Sequence, residues 1–178
     1  MSLTLYKPNS KNSGCAFSFR AGINKNKEPT IYVSAIQQFS WDSARKTGNF
    51  SGNRENPDKN INVKFNEFEI GGILSAFKHR HEYSTFHAFD DNKTSIKLTP
   101  WNKPNKEGGT LPAFGIVFSR NGNQVFKLPL EPGEVEAITH FFKSFFSDLF
   151  SHRKREEIKA RKSQKEKQES KEAEDAPF

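Results

Sequence analysis

Two stretches of this chain repeat one order of parts, and that repetition limits the available folds more than any other feature. "VKFNEFEIGGILSAF" (63–77) and "FKLPLEPGEVEAITHFF" (126–142) each run strand, short link, acidic helix start, then apolar residues three and four apart. Each closes a series of short alternating segments. "LTLY" (3–6), "CAFSF" (15–19), "TIYVSAIQQ" (30–38) and "INVKF" (61–65) precede the first helix. "YSTFHAF" (83–89), "SIKLTPW" (95–101), "AFGIVFS" (113–119) and "QVFKLPL" (124–130) precede the second. Residues 22–29, Asp91-Asn92, Glu107-Gly108-Gly109 and Asn121-Gly122 supply turns. The expected fold class is α+β: two repeats of a four-stranded antiparallel sheet plus a helix.

Alternation also divides the strand residues between two faces. Cys15, Phe17 and Phe19 face inward, as do Ile61, Val63 and Phe65. In the first helix Asn66 is the cap, Glu67 and Glu69 complement the dipole, and Ile70, Ile73, Leu74 and Phe77 form the buried stripe. Gly71-Gly72 allows a close backbone approach. The second helix opens at Glu131-Pro132 and is expected to end near Phe150, with Val135, Ile138, Phe142, Phe145 and Leu149 toward the sheet. Phe141, Phe146 and Phe150 spread onto other faces of that helix. They are expected to form the interface of a homo-oligomer, a dimer or tetramer. Residues 42–60 are polar, rich in Gly and Asn and nearly free of core residues, and read as a long mobile loop.

Charge separates the chain into a body, 1–150, and a tail, 151–178. The net charge is +7, and the tail holds nine Lys and Arg against seven Asp and Glu, so most of the excess sits in the body. The tail reads as a polyampholyte, disordered or helical, with an acidic tip. A single cysteine, Cys15, excludes an internal disulfide, reads as a packed strand residue and fits a reducing compartment. No apolar run is long enough to span a membrane, and no signal peptide is present, so a cytoplasmic protein is expected. Enzyme chemistry finds little support. His79-Arg80-His81 lacks the further ligands of a metal site, Asp90-Asp91 reads as a hairpin turn, and no phosphate-cradling glycine loop precedes a helix. No catalytic residue, metal or cofactor is expected.

A basic body points to a polyanion. Holding a flexible strand without reading its sequence needs positive charge along a groove and flat rings for bases. The polar strand faces carry both. Arg20, Tyr32, Lys64, Lys97, Trp101 and Lys127 alternate with the core positions. Trp41, Arg45 and Lys46 form a second basic-aromatic cluster, and Lys103, Lys106 and Arg120 lie in or beside turns. Any one of these lysines is an ordinary solvated residue; the argument rests on the set.

Over residues 2–150 the order and spacing of "FEIGGILSAF", "STFHAFDDNK" and "FKLPLEPGEVEAITHFFKSFFSDLF" resemble the Whirly family and the related transcriptional-coactivator fold. That resemblance implies single-stranded DNA binding by an oligomer whose last helices help to hold it together. The family's Lys-Gly-Lys-Ala run on the first strand is replaced here by "SLTLYKP". Separately, "EAEDAPF" (172–178) is similar to the acidic C-terminal tip of bacterial single-stranded DNA-binding proteins, which have an unrelated fold. This second resemblance implies that Glu172, Glu174, Asp175, Pro177 and Phe178 dock replication, recombination and repair enzymes, with the acids drawing the tip in and the ring anchoring it. The pairing points to a bacterial or bacteriophage source. The expected function is sequence-independent single-stranded DNA binding in replication, recombination or repair. The alternatives are a transcription regulator on melted promoter DNA and an RNA-binding protein.

Overall fold

Both expected sheets form, and each buries one face. A computed structural model describes the backbone of residues 1–174 and the side chains through residue 169. In chain order the strands are β1 (Ser2–Lys7), β2 (Cys15–Ile23), β3 (Pro29–Gln37), β4 (Ser40–Asp42), β5 (Thr47–Asn49) and β6 (Asn60–Phe65). Helix α1 (Glu67–His79) follows, then β7 (Tyr83–Phe89), β8 (Asn92–Pro104), β9 (Thr110–Arg120), β10 (Gln124–Leu130) and α2 (Pro132–Glu174). The first sheet has the order β1-β2-β3-β6 and the second β10-β9-β8-β7, all neighbours antiparallel.

The inward residues of the two sheets meet directly. Phe17 of β2 packs edge-on to Phe118 of β9, with ring centroids 5.1 Å apart, and Phe65 lies 6.1 Å from Phe118. Both helices close the core: Ile70, Ile73 and Ala76 from α1, and Ile138, Phe142, Phe145 and Leu149 from α2, are buried. Asn66 caps α1 as expected, in a reciprocal box with Glu69. Of the glycine pair only Gly72 is needed for close approach. A Cβ there would sit 2.2 Å from the Tyr83 ring, whereas one at Gly71 would meet nothing within 4 Å.

Three expectations need correction. Residues 42–60 are not a featureless loop. They complete a hairpin begun by β4, with β5 as its return strand, and carry a short 3-10 turn at Ser51–Asn53. Side-chain amides supply most of the bonds that hold this excursion, which is why it reads as core-free. The buried Gln38 side chain donates to the carbonyls of Asn9 and Ser40 and accepts from the Asn9 N–H. Asn53 donates to the Gln37 carbonyl, and Asn60 donates to those of Asn53, Arg54 and Asn56.

Second, α2 does not stop near Phe150 but continues to Glu174. Arg153 grips Glu67 with two hydrogen bonds of 2.8 and 3.0 Å. Beyond it, Glu156–Lys159, Glu157–Arg161 and Lys165–Glu169 pair along the helix.

Third, Phe141 is not free for an oligomer interface. It is 6% exposed, 6.5 Å from Phe19 and 6.0 Å from Phe142, because this part of α2 packs over both sheets. Phe146 is half-buried against the core, and Phe150, 56% exposed, stacks on it at 5.8 Å. The expected docking residues Glu172, Glu174, Asp175, Pro177 and Phe178 lie outside the residues whose side chains are described.

Candidate nucleic-acid interface

The outer face of the first sheet is built in rows, because antiparallel register places residues of neighbouring strands side by side about 4.8 Å apart. Arg20 of β2 pairs with Tyr32 of β3, and Tyr32 pairs with Lys64 of β6. Three candidates from separate segments thus form one line across the sheet. The Arg20 guanidinium carbon lies 5.8 Å from the Tyr32 ring centroid. Gly22 leaves room for that ring: a Cβ there would press on it at 3.3 Å.

The next rows are Thr4, Ser18, Ser34 and Asn62, then Tyr6, Ala16, Ile36 and Asn60. These small side chains leave a concavity of about 260 Å³ on the sheet surface. The excursion walls it: Phe50 packs on Tyr6 with ring centroids 5.6 Å apart, and Arg54 lines the same hollow. On the far side of Tyr6 and Phe50 a broader groove of about 760 Å³ carries Arg45, Lys46 and again Arg54. At the opposite edge Asn62 is shared with a third concavity of about 410 Å³, between β6 and β7, which carries Lys64, His87, Phe89 and Arg120. The three hollows share residues and so make a continuous track.

The track is electropositive. Among the described residues Arg20, Lys46, Arg54, Lys64 and Arg120 have no carboxylate partner, and Arg45 reaches only Asp42 of its own hairpin, at 3.9 Å. Arg120 Nε is sealed from solvent without a hydrogen-bond partner. The wall behind the third hollow is fixed by the buried Glu69 carboxylate, which accepts from the Asn66 N–H at 2.9 Å and the Thr85 hydroxyl at 2.7 Å. His87 Nε2 also lies 2.7 Å from Glu69, without the geometry of a hydrogen bond.

The other candidates lie elsewhere. Lys127 and Lys97 flank Val117 on the outer face of the second sheet, and Lys97 is 3.2 Å from Glu82. Trp101 and Lys103 lie toward the far end of β8. Trp101 is 39% exposed, and Lys103 is bound to Glu131 at 2.6 Å. The hydrogen bond from Lys103 holds the Glu131 carboxyl below its usual range, so this lysine's charge is matched. Trp41 sits in β4 opposite Gly48 and is half-buried. Sequence reasoning missed Tyr6, Ser34, Phe50, Arg54 and Asn62. One signal was available: Phe50 is the lone large aromatic between Trp41 and Phe65, in a segment with no core to fill.

Among the described residues no group of three or more His, Cys, Asp or Glu is placed to hold a metal ion. Cys15 is buried, and burial pushes its thiol above the ordinary range, away from nucleophilic use.

No protein-family model matches the chain, and a search of curated proteins finds no match. Among solved structures, the plant transcriptional regulator PBF-2 is similar, with a TM-score of 0.51, 12% sequence identity, and coverage of 86% of this chain and 84% of that one. At that identity the likeness is one of fold. It agrees with the Whirly-like α+β architecture, two repeats of a four-stranded antiparallel sheet and a helix.

Proposed function

We propose that this protein binds single-stranded DNA without reading most of its sequence, along the outer face of the first sheet. The observation that carries the reading is the row Arg20–Tyr32–Lys64, which sets a stacking ring between two cations at neighbouring-strand spacing. Flanking grooves with Arg45, Lys46, Arg54 and Arg120 extend the phosphate track in both directions. A shallow track of rings and cations suits an unpaired strand, whose bases can turn onto it. A duplex keeps its bases stacked inside and meets only the charges.

Its place would be in replication, recombination or repair, coating exposed strands in the cytoplasm of a bacterium or a phage-infected cell. The acidic tip would recruit partner enzymes, and Phe178→Ala should abolish capture of such enzymes while leaving strand binding intact. Self-association through Phe146 and Phe150 would align tracks of neighbouring copies. The likeness in fold to a plant transcriptional regulator favours one second reading, a regulator that holds melted promoter DNA. Fluorescence anisotropy tests the core of the proposal. Oligo-dT should bind much more tightly than a duplex of equal length, and equal affinities would refute it.

A further inference from the structure

The hollow at the centre of the first sheet differs from the grooves on either side. It measures about 260 Å³, just below the ~300 Å³ where pockets for drug-sized ligands begin, a size that admits a nucleobase. Its floor is apolar or small: Ala16, Ile36 and Ser18. One wall is the Tyr6–Phe50 ring pair, tilted at 56°. The opposite side carries Asn62 and Ser34, and neither side chain makes a hydrogen bond within the described protein. By contrast Thr4 and Ser18 bond each other, and the Asn60 amide is consumed by three carbonyls. Arg54 at the mouth has no carboxylate partner among the described residues.

We infer that this hollow receives a single unstacked nucleobase, and that a purine such as adenine, with its larger stacking face, fits it better than thymine. The Tyr6–Phe50 wall takes one face of the base. The Asn62 amide presents a donor beside an acceptor, a pairing that matches the N6 and N7 edge of adenine. Arg54 meets the phosphate at the mouth. The inference rests on the single-strand reading and adds one position of preference to an otherwise indifferent binder. The hollow exists because the 39–60 excursion stands over the open sheet face; without Phe50 and Arg54 the same rows would be a flat surface.

The test uses the full chain, a dT oligomer and the same oligomer with one central dA, titrated by anisotropy. Wild type should bind the dA oligomer several-fold more tightly, and Asn62→Ala should weaken binding of both oligomers. Ser34→Phe fills the hollow and leaves every track cation in place. It should weaken binding roughly tenfold, the loss expected for one stacked base, with the salt dependence unchanged. Phe50→Ala, which opens the wall instead, should give a similar loss, and circular dichroism checks that both variants keep the fold. If both bind like wild type, or if wild type does not distinguish the two oligomers, the inference is wrong while single-strand binding stands. If wild type binds neither oligomer, the functional reading itself fails.

Discussion

Replacing Tyr32 with alanine separates the stacking and charge components of the track. The ring lies on the outer face between Arg20 and Lys64 and takes no part in the core cluster, so the fold should survive. Stacking a base on an aromatic is worth about 1–3 kcal/mol by alanine substitution. Here Arg20 already sits 5.8 Å from the ring centroid, and an incoming base must displace or share that contact, at a cost of about 0.5–1 kcal/mol at an exposed site. The net loss should therefore fall near 1 kcal/mol, about a five- to tenfold rise in Kd. No phosphate contact is removed, so the slope of log K against log salt should not change. The double variant Arg20→Ala/Lys64→Ala should behave differently. Two lost contacts at about 0.7 each should make the slope shallower by roughly 1.4. Anisotropy titrations across a salt series read both quantities. The reasoning is refuted if Tyr32→Ala changes the slope, or if Lys97→Ala/Lys127→Ala on the second sheet costs more than the Arg20 and Lys64 pair.

Three other outcomes follow from the packing. In α1, Gly71→Ala should raise the urea midpoint, by about 0.5–1 kcal/mol of helix propensity, whereas Gly72→Ala should lower it, because the new methyl meets the Tyr83 ring. Phe150→Glu should leave the thermal transition nearly unchanged and reduce any oligomer seen by light scattering. Phe141→Glu should unfold the chain, since it puts a charge among Phe19 and Phe142. Arg153 holds the Glu67 carboxyl below its usual range, so that pair stabilises the fold above the unfolded value near pH 4.3 and its contribution is lost as pH falls through the lowered one. Glu67→Gln should therefore cost less than about 1 kcal/mol near neutral pH and nothing at strongly acid pH, as urea titrations at the two pH values would show.

The strands were legible because a half-buried strand writes its two faces into alternate residues. β7 and β10 fall where the alternation puts them, and Asn66 caps α1 as its position implies. The excursion at 39–60 was hidden because side-chain amides bonded to backbone carbonyls hold it, and amides read like loop composition. The extension of α2 was hidden for a related reason: its i,i+3 and i,i+4 pairs resemble a solvated charge run until the helix sets their geometry. Phe141 and Phe142 looked like residues on different faces, yet both are buried, since this stretch of α2 meets rings such as Phe19 rather than a flat sheet. At the site, alternation put Arg20, Tyr32 and Lys64 on polar faces. Only strand register could place them in one row, and register depends on pairings that span 44 residues. The same limit explains Lys103, whose partner Glu131 is 28 residues away.

Ultraviolet cross-linking of bound oligo-dT, followed by peptide mass spectrometry, tests most directly whether the first sheet's outer face is the DNA track. Cross-links should fall on Tyr32, Tyr6 and Phe50, within β1, β3 and the excursion, and should disappear at high salt. Cross-links confined to Phe86 or Trp101, on the second sheet, would contradict the account.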